Sequence, residues 1–182
     1  MSTKFKKFSL RVPFRFCPKC RKRLRRAERV FICKACGFHF YLNPAPTNAV
    51  IIRNAEHDIL FVKRAFPPKK GWWDLPGGFV DFYENMETAV RREIREELGI
   101  TITKFRYFFS DYNFYHYKGI TYQTLDFVFV ARVSRTQEKY LKPGDDAVDF
   151  AWFALDELPM SRISFPSLRA ALRRYRQIYR SV

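Results

Sequence analysis

The chain has 182 residues, 47% of them hydrophobic and 18% aromatic, with 34 Lys or Arg against 18 Asp or Glu, a formal net charge of +16. That apolar content suits one domain of ordinary size plus a small appendage, and it excludes a disordered chain. No stretch approaches the roughly 18 to 20 apolar residues of a membrane span, and the Lys-rich start MSTKFKKFSLRVPF lacks the apolar region of a signal peptide, so no membrane partner is expected and a cytoplasmic location is the default.

The charge is uneven. Residues 1–48 hold 13 Lys or Arg and one acid, Glu28; residues 162–182 hold six Arg and no acid; residues 49–161 hold 15 basic and 17 acidic residues. The excess therefore sits at the two ends, which should attract polyanions, nucleic acid first, in a salt-sensitive way. Solubility alone, or pairing with acids of a second subunit as in a homodimer, would account for the same charge.

All four cysteines fall early, as Cys17-x2-Cys20-x12-Cys33-x2-Cys36. Each CxxC knuckle turns two thiolates toward one point, and four thiolates make the closed tetrahedral site of structural zinc, with no open position for a water. Two disulfides are the alternative, but nothing indicates an oxidising compartment. Gly37 fits the tight turn after the second knuckle, whereas Arg21 stands at the matching place after the first. His39 reads as a packed or exposed side chain and not as a ligand. About 25 residues cannot bury a core, so zinc would supply much of this segment's folding free energy. Phe31, Ile32 and Phe38 stand among Arg21, Lys22, Arg23, Arg25 and Arg26; such a mix can stack bases, but docking of the ribbon is favoured. The expected division is a basic segment with the ribbon over 1–42, a linker over 43–47 on Asn43-Pro44-Ala45-Pro46, and one domain over 48–182.

In that domain, NAVIIR (48–53) and ILFVKR (59–64) are predicted strands, and AFPPKKGWW (65–73) is a predicted loop. Asp74-Leu75-Pro76-Gly77-Gly78 then leads to a charged helix. Val90, Ile94 and Leu98 line one side at the helical period, and Glu93, Glu96 and Glu97 gather on the flank beside them. Asn85 is its predicted N-cap and Gly99 its stop. Read as a solvated face, the run would carry ion pairs such as Glu87 to Arg91 and Arg92 to Glu96, each contributing a few tenths of a kcal/mol. Three carboxylates so close repel one another unless a cation sits among them, and oxygen clusters of this kind bind hard divalent ions such as magnesium.

Gly78, five residues, Glu84, seven residues and then Arg92-Glu93-Ile94-Arg95-Glu96-Glu97-Leu98-Gly99-Ile100 resembles the Nudix hydrolase signature at each defined position. At one free position, Tyr83 stands where many members of that family carry Gly. The resemblance implies an α/β fold, a Nudix α/β/α sandwich with the zinc ribbon ahead of it. It implies a hydrolase cleaving a pyrophosphate linkage in a nucleoside diphosphate derivative, with Mg2+ or Mn2+ as cofactor besides the structural Zn2+. Carried over residue by residue, Glu93, Glu96 and Glu97 with the Gly77 carbonyl would bind the ions, Glu93 would assist as base, and Arg92 would orient a glutamate. Glu84 would be a structural or outer-shell acid, and Asp145 or Asp146 would be rival bases from a later loop.

Beyond the helix, β-rich segments are predicted at 102–117 and 120–133, a strand at 150–153, a short helical turn at 155–158 and a helix over 165–179. A ribbon ahead of such a domain is also the order of NADH pyrophosphatases, but their array after the box is matched here by SDYNFYHYKG (110–119), without Trp or Pro. The proline that ADP-ribose pyrophosphatases place past the box is missing too. Trp72 and Tyr122 are candidate stacking surfaces for a nucleoside, and Arg64 is a candidate phosphate contact. A non-catalytic module that senses a nucleotide or binds nucleic acid is the rival reading, which the completeness of the box opposes.

Overall fold

Neighbouring β-branched and aromatic residues build two compact units. The computed structural model describes residues 15–24, 30–144 and 147–179. The first unit holds the described residues up to Pro44 together with Phe114–Gln123; the second holds Ala45–Asn113 and the described residues from Thr124 onward. Arg25, Arg26, Asp145 and Asp146, named above, lie outside the described residues.

In the first unit, β1 (Val30–Ile32) and β2 (His39–Tyr41) form an antiparallel hairpin with Phe31 opposite Phe40. Phe31 is buried, whereas Phe16 and Ile32 are exposed.

The second unit is built on a mixed sheet. Its elements in chain order are β3 (Ala45–Arg53), β4 (Ile59–Arg64), β5 (Trp73–Asp74), α1 (Met86–Leu98), β6 (Phe105–Tyr117), β7 (Ile120–Arg132), α2 (Arg135–Glu138), β8 (Ala147–Phe153) and α3 (Pro166–Tyr179). The strand order is β5-β4-β3-β7-β6, with β8 also on β4. β3 and β7 run parallel, from Ala45 beside Thr124 to Arg53 beside Arg132.

Alternation along the strands sends side chains to two cores. Val50 and Ile52 of β3, with Leu60 and Val62 of β4, meet Val90, Ile94 and Leu98 of α1 on one face. Ala49 and Ile51, with Ile59 and Phe61, meet Leu168, Ala171, Leu172 and Tyr175 of α3 on the other. This is the expected α/β/α sandwich. Each fully buried aliphatic side chain contributes about 1.5–3 kcal/mol. Among the described residues, no helix is long and apolar enough to cross a membrane.

Several boundaries differ from expectation: β6 starts at Phe105 and not at 102, and β8 at Ala147 and not at 150. β3 begins at Ala45, so Ala45 and Pro46 belong to the strand and not to a linker: the parallel pairing with β7 reaches that far, and Pro46, which has no N–H, uses its carbonyl to accept from Val80. The expected loop over 65–73 ends inside β5. Residues 155–158 hold a turn, and a 3-10 helix comes later, at Met160–Arg162.

Candidate active site

The signature helix starts and stops where its caps lie. Asn85 Oδ1 accepts from the Thr88 N–H at 2.9 Å and the Thr88 hydroxyl at 2.7 Å, and Gly99 closes the helix at φ 69°. A later loop crosses its C-terminal end: Lys142 N–H donates to the Leu98 carbonyl at 3.1 Å and Gly144 N–H to the Glu97 carbonyl at 2.9 Å. Those bonds satisfy carbonyls that a helix end leaves open. A Cβ on Gly144 would fall 1.9 Å from the Glu96 carbonyl oxygen, so the crossing requires glycine.

Gly77 and Gly78 bring the preceding loop against β3 and α1 together. The Gly78 carbonyl accepts from the Asn48 N–H at 2.8 Å and from Asn48 Nδ2 at 3.3 Å; Val50 N–H donates to the Pro76 carbonyl at 2.8 Å. Gly77 has φ 137°, and a Cβ there would lie 2.4 Å from the Asn48 carbonyl oxygen. Its N–H donates to Glu97 Oε2 at 2.9 Å. A Cβ on Gly78 would lie 2.5 Å from Glu93 Oε1. The two glycines therefore form the floor on which Glu97 and Glu93 rest.

Arg92 ties the carboxylates together. Its Nε and Nη2 donate to Glu84 at 2.9 and 3.0 Å in a two-pronged fork, Nη1 donates to Glu93 Oε1 at 2.9 Å and Glu96 Oε2 at 3.0 Å, and Nη2 also reaches the Phe79 carbonyl at 2.9 Å. The Arg92 to Glu96 pair expected of a solvated face is present, but Arg91 meets the Glu87 backbone carbonyl and not its carboxylate. The Glu84 and Glu93 side chains are only 14% and 13% exposed, against 55% for Glu96. Hydrogen bonds from Arg92 hold the Glu84 carboxyl below its ordinary range. Burial pushes the Glu93 carboxyl up, against the pull of Arg92.

Glu93 and Glu96 meet at Arg92, while Glu97 meets the Gly77 N–H. Glu84 proves to be the main partner of Arg92. Tyr83 adopts φ 66°, which explains why glycine suits that position, and Phe82 and Tyr83 are exposed. Arg64 is committed elsewhere: Nη1 donates to Asp74 Oδ2 at 2.7 Å, Nε to the Pro68 carbonyl at 2.8 Å, and the guanidinium lies over Phe165. Its geometry is that of a clasp on the 65–74 loop. Trp72 has Lys69 Nζ 4.1 Å from its ring centroid and Arg162 at 6.0 Å. Tyr122 belongs to the hairpin tip of the first unit. Sequence reasoning missed Asn48, the Phe79 carbonyl and Gly144; a lone Asn at a strand start and a Gly in a Pro-Gly loop carry no signal beyond a turn or strand end.

In the first unit the sulfurs of Cys17, Cys20, Cys33 and Cys36 all lie within 4.8 Å of one another, with Cys17 to Cys36 at 3.8 Å and Cys20 to Cys33 at 3.5 Å. All four are free thiols. A disulfide needs sulfurs about 2.05 Å apart, whereas four thiolates about 2.3 Å from one tetrahedral ion lie about 3.8 Å apart. The cluster therefore fits zinc. Both knuckles close alike: Arg21 N–H donates to the Cys17 carbonyl and Gly37 N–H to the Cys33 carbonyl, each at 2.8 Å, with φ 60° and 69°. His39 is exposed in β2 and stands outside the cluster.

Comparison with known proteins agrees with this architecture. An NAD-capped RNA hydrolase NudC of Pseudomonas aeruginosa is 30% identical over 168 residues, 91% of this chain and 55% of that protein. The chain thus spans about half the length of that curated relative. An ADP-ribose pyrophosphatase of Methanocaldococcus jannaschii is 37% identical over 122 residues, 67% of this chain and 69% of that protein. The crystal structure of a Nudix hydrolase from Nitrosomonas europaea superposes with a TM-score of 0.64 at 25% identity, covering 92% of this chain and 93% of that one. The family model of the Nudix domain matches residues 43–175. With the signature helix, its glycine floor and the sandwich in place, the chain belongs to the Nudix domain family.

Proposed function

We propose that this chain is a divalent-metal-dependent hydrolase that cleaves the pyrophosphate linkage of a nucleoside diphosphate derivative. One observation carries the reading: Glu93, Glu96 and Glu97 come off one helix beside Gly77 and Gly78, with Arg92 bonded to two of them. Hard oxygen donors of this kind suit Mg2+ or Mn2+, held by Glu93, Glu96 and Glu97 with the Gly77 carbonyl. Bound there, the ion supplies charge neutralisation at the phosphate oxygens and acidifies water. Glu93, whose carboxyl burial raises, accepts the proton as the water oxygen bonds to phosphorus and the bridging P–O bond breaks. Arg92 holds Glu93 and Glu96 in place, and Glu84 holds Arg92.

The substrate class is read from chemistry and relatives together. The two relatives described above are named for NAD-capped RNA and for ADP-ribose, both nucleoside diphosphates joined to another moiety. Trp72 remains a candidate stacking surface, and the basic ends of the chain are candidates for the polynucleotide part of a capped substrate. The cysteine cluster would hold a structural zinc. A panel of NADH, ADP-ribose, dinucleoside polyphosphates, nucleotide sugars, nucleoside triphosphates and NAD-capped RNA, read as released mononucleotide or phosphate, tests the proposal. Hydrolysis of at least one member, dependent on Mg2+ or Mn2+ and lost in Glu97→Gln, is expected. Binding without turnover across the panel with either ion would overturn it in favour of a sensing module.

A further inference from the structure

The far face of the sheet from α1 carries a second concentration of positive charge. β3 ends in Arg53, its parallel neighbour β7 ends in Arg132 directly beside it, and β6, next in order, begins with Phe105-Arg106. The alternation that sends Ala49, Ile51, Val128 and Val130 toward α3 places Arg53 and Arg132 on that same face. Arg106 reaches it as well, since its Nη2 donates to the Tyr179 hydroxyl of α3. Three arginines thus share one face of three adjacent strands, with Arg53 and Arg132 side by side, where like charges cost stability.

Aromatic rings line these arginines, and among the described residues they have no counter-charge. The Tyr175 and Tyr179 rings lie 4.4 Å apart, with the Arg53 guanidinium 6.0 and 5.1 Å from their centroids. Arg53 is only 8% exposed, yet its Nε has no acceptor among the described residues. Among the described residues no ion pair includes Arg53, Arg106 or Arg132; the ion pair that α3 makes joins Arg176 to Asp156. Buried donors without an acceptor, on an uncompensated charge, are expensive to maintain. Guanidinium groups match the oxygens of a phosphate in shape and charge.

We propose that Arg53, Arg106 and Arg132, with Tyr175 and Tyr179, form an oxyanion site on the α3 face that takes a phosphate group. The phosphate comes either from a small molecule or from a polynucleotide backbone, and both present the same acceptor oxygens. The site lies across the sheet from the signature glutamates and does not depend on their chemistry.

The test uses the full chain carrying Glu93→Gln and Glu97→Gln, without added divalent ions, so that phosphate at the glutamate cluster does not contribute. Inorganic phosphate is titrated at constant ionic strength against this protein and against one that also carries Arg106→Gln and Arg132→Gln. Both added changes are at exposed positions, and circular dichroism checks that the fold is kept. Saturable phosphate binding is expected in the first protein and a dissociation constant raised by about tenfold or more in the second. Arg53→Met, if it folds, should lose binding more fully. A short uncapped single-stranded RNA is then added as competitor. Displacement of phosphate assigns the site to a polynucleotide backbone; no displacement assigns it to a free phosphate or nucleotide. No saturable phosphate binding, or equal binding by the two proteins, would overturn the proposal.

Discussion

Arg92 is the residue on which the candidate site turns, because one guanidinium serves Glu84, Glu93, Glu96 and a backbone carbonyl. Arg92→Gln should lower kcat/KM by about 10- to 100-fold, the usual cost of losing a group that orients ligands, and steady-state kinetics on the substrate found by the panel checks it. A pH effect follows from Glu84. Arg92 depresses its folded-state pKa, so the bond's stabilisation is present above the unfolded value of about 4.3 and is lost as pH falls through the folded value. Between roughly pH 5 and 3, melting temperature should fall less steeply in Arg92→Gln than in the native chain; parallel curves would show that the fork adds nothing. The two glycines beneath the carboxylates should part company. Gly77→Ala drives a Cβ into the rigid backbone at Asn48 and should destabilise by about 3 kcal/mol or more. Gly78→Ala meets only the movable end of Glu93, so melting temperature should hold while activity falls. A matching loss of stability in both would mean that Gly78 is not specific to the site.

The elements themselves were largely legible, because they rest on local patterns. The period of Val90, Ile94 and Leu98 gave α1 when combined with Asn85 and Gly99, and runs of β-branched and aromatic residues gave β4 and the long β6–β7 pair. What stayed hidden depends on partners distant in sequence. No local signal says that Ala45 and Pro46 extend a strand; parallel pairing with Thr124 and Leu125 decides it. In the same way, Gly144 reads as a loop residue until the backbone of Glu96 is seen against it, and Arg64 reads as a phosphate contact until Asp74 is seen beside it. The glutamate cluster was legible because one helix carries it, and its support was not, because Asn48, Phe79 and Gly144 come from three other places in the chain. Asn85→Ala tests the helix at this scale: removing the acceptor for two Thr88 bonds should cost about 1 kcal/mol by chemical denaturation. Because Glu93 to Glu97 lie two turns and more from that cap, kcat should be nearly unchanged at a temperature where the variant is folded.

At the scale of the whole molecule, two units of different build share one chain. The second has two layers of apolar contact around a sheet and needs no metal to explain its core. The first is a short hairpin with two cysteine knuckles, joined by residues 114–123, and so little buried surface does not offset the entropy of ordering it. Structural zinc bound by four thiolates contributes apparent free energies of about 10–16 kcal/mol, ample to make the difference. Metal analysis of protein purified under reducing conditions should therefore find zinc at one ion per chain. Removing it with a zinc-selective chelator should abolish hydrogen-exchange protection over residues 30–41. Protection in β3 beyond Asn48, in β4 and in α1 should persist, since those amides belong to the sandwich. If the hairpin kept its protection after the zinc was gone, the segment would be held by its own packing around Phe31, and the cysteines would have some role other than folding it.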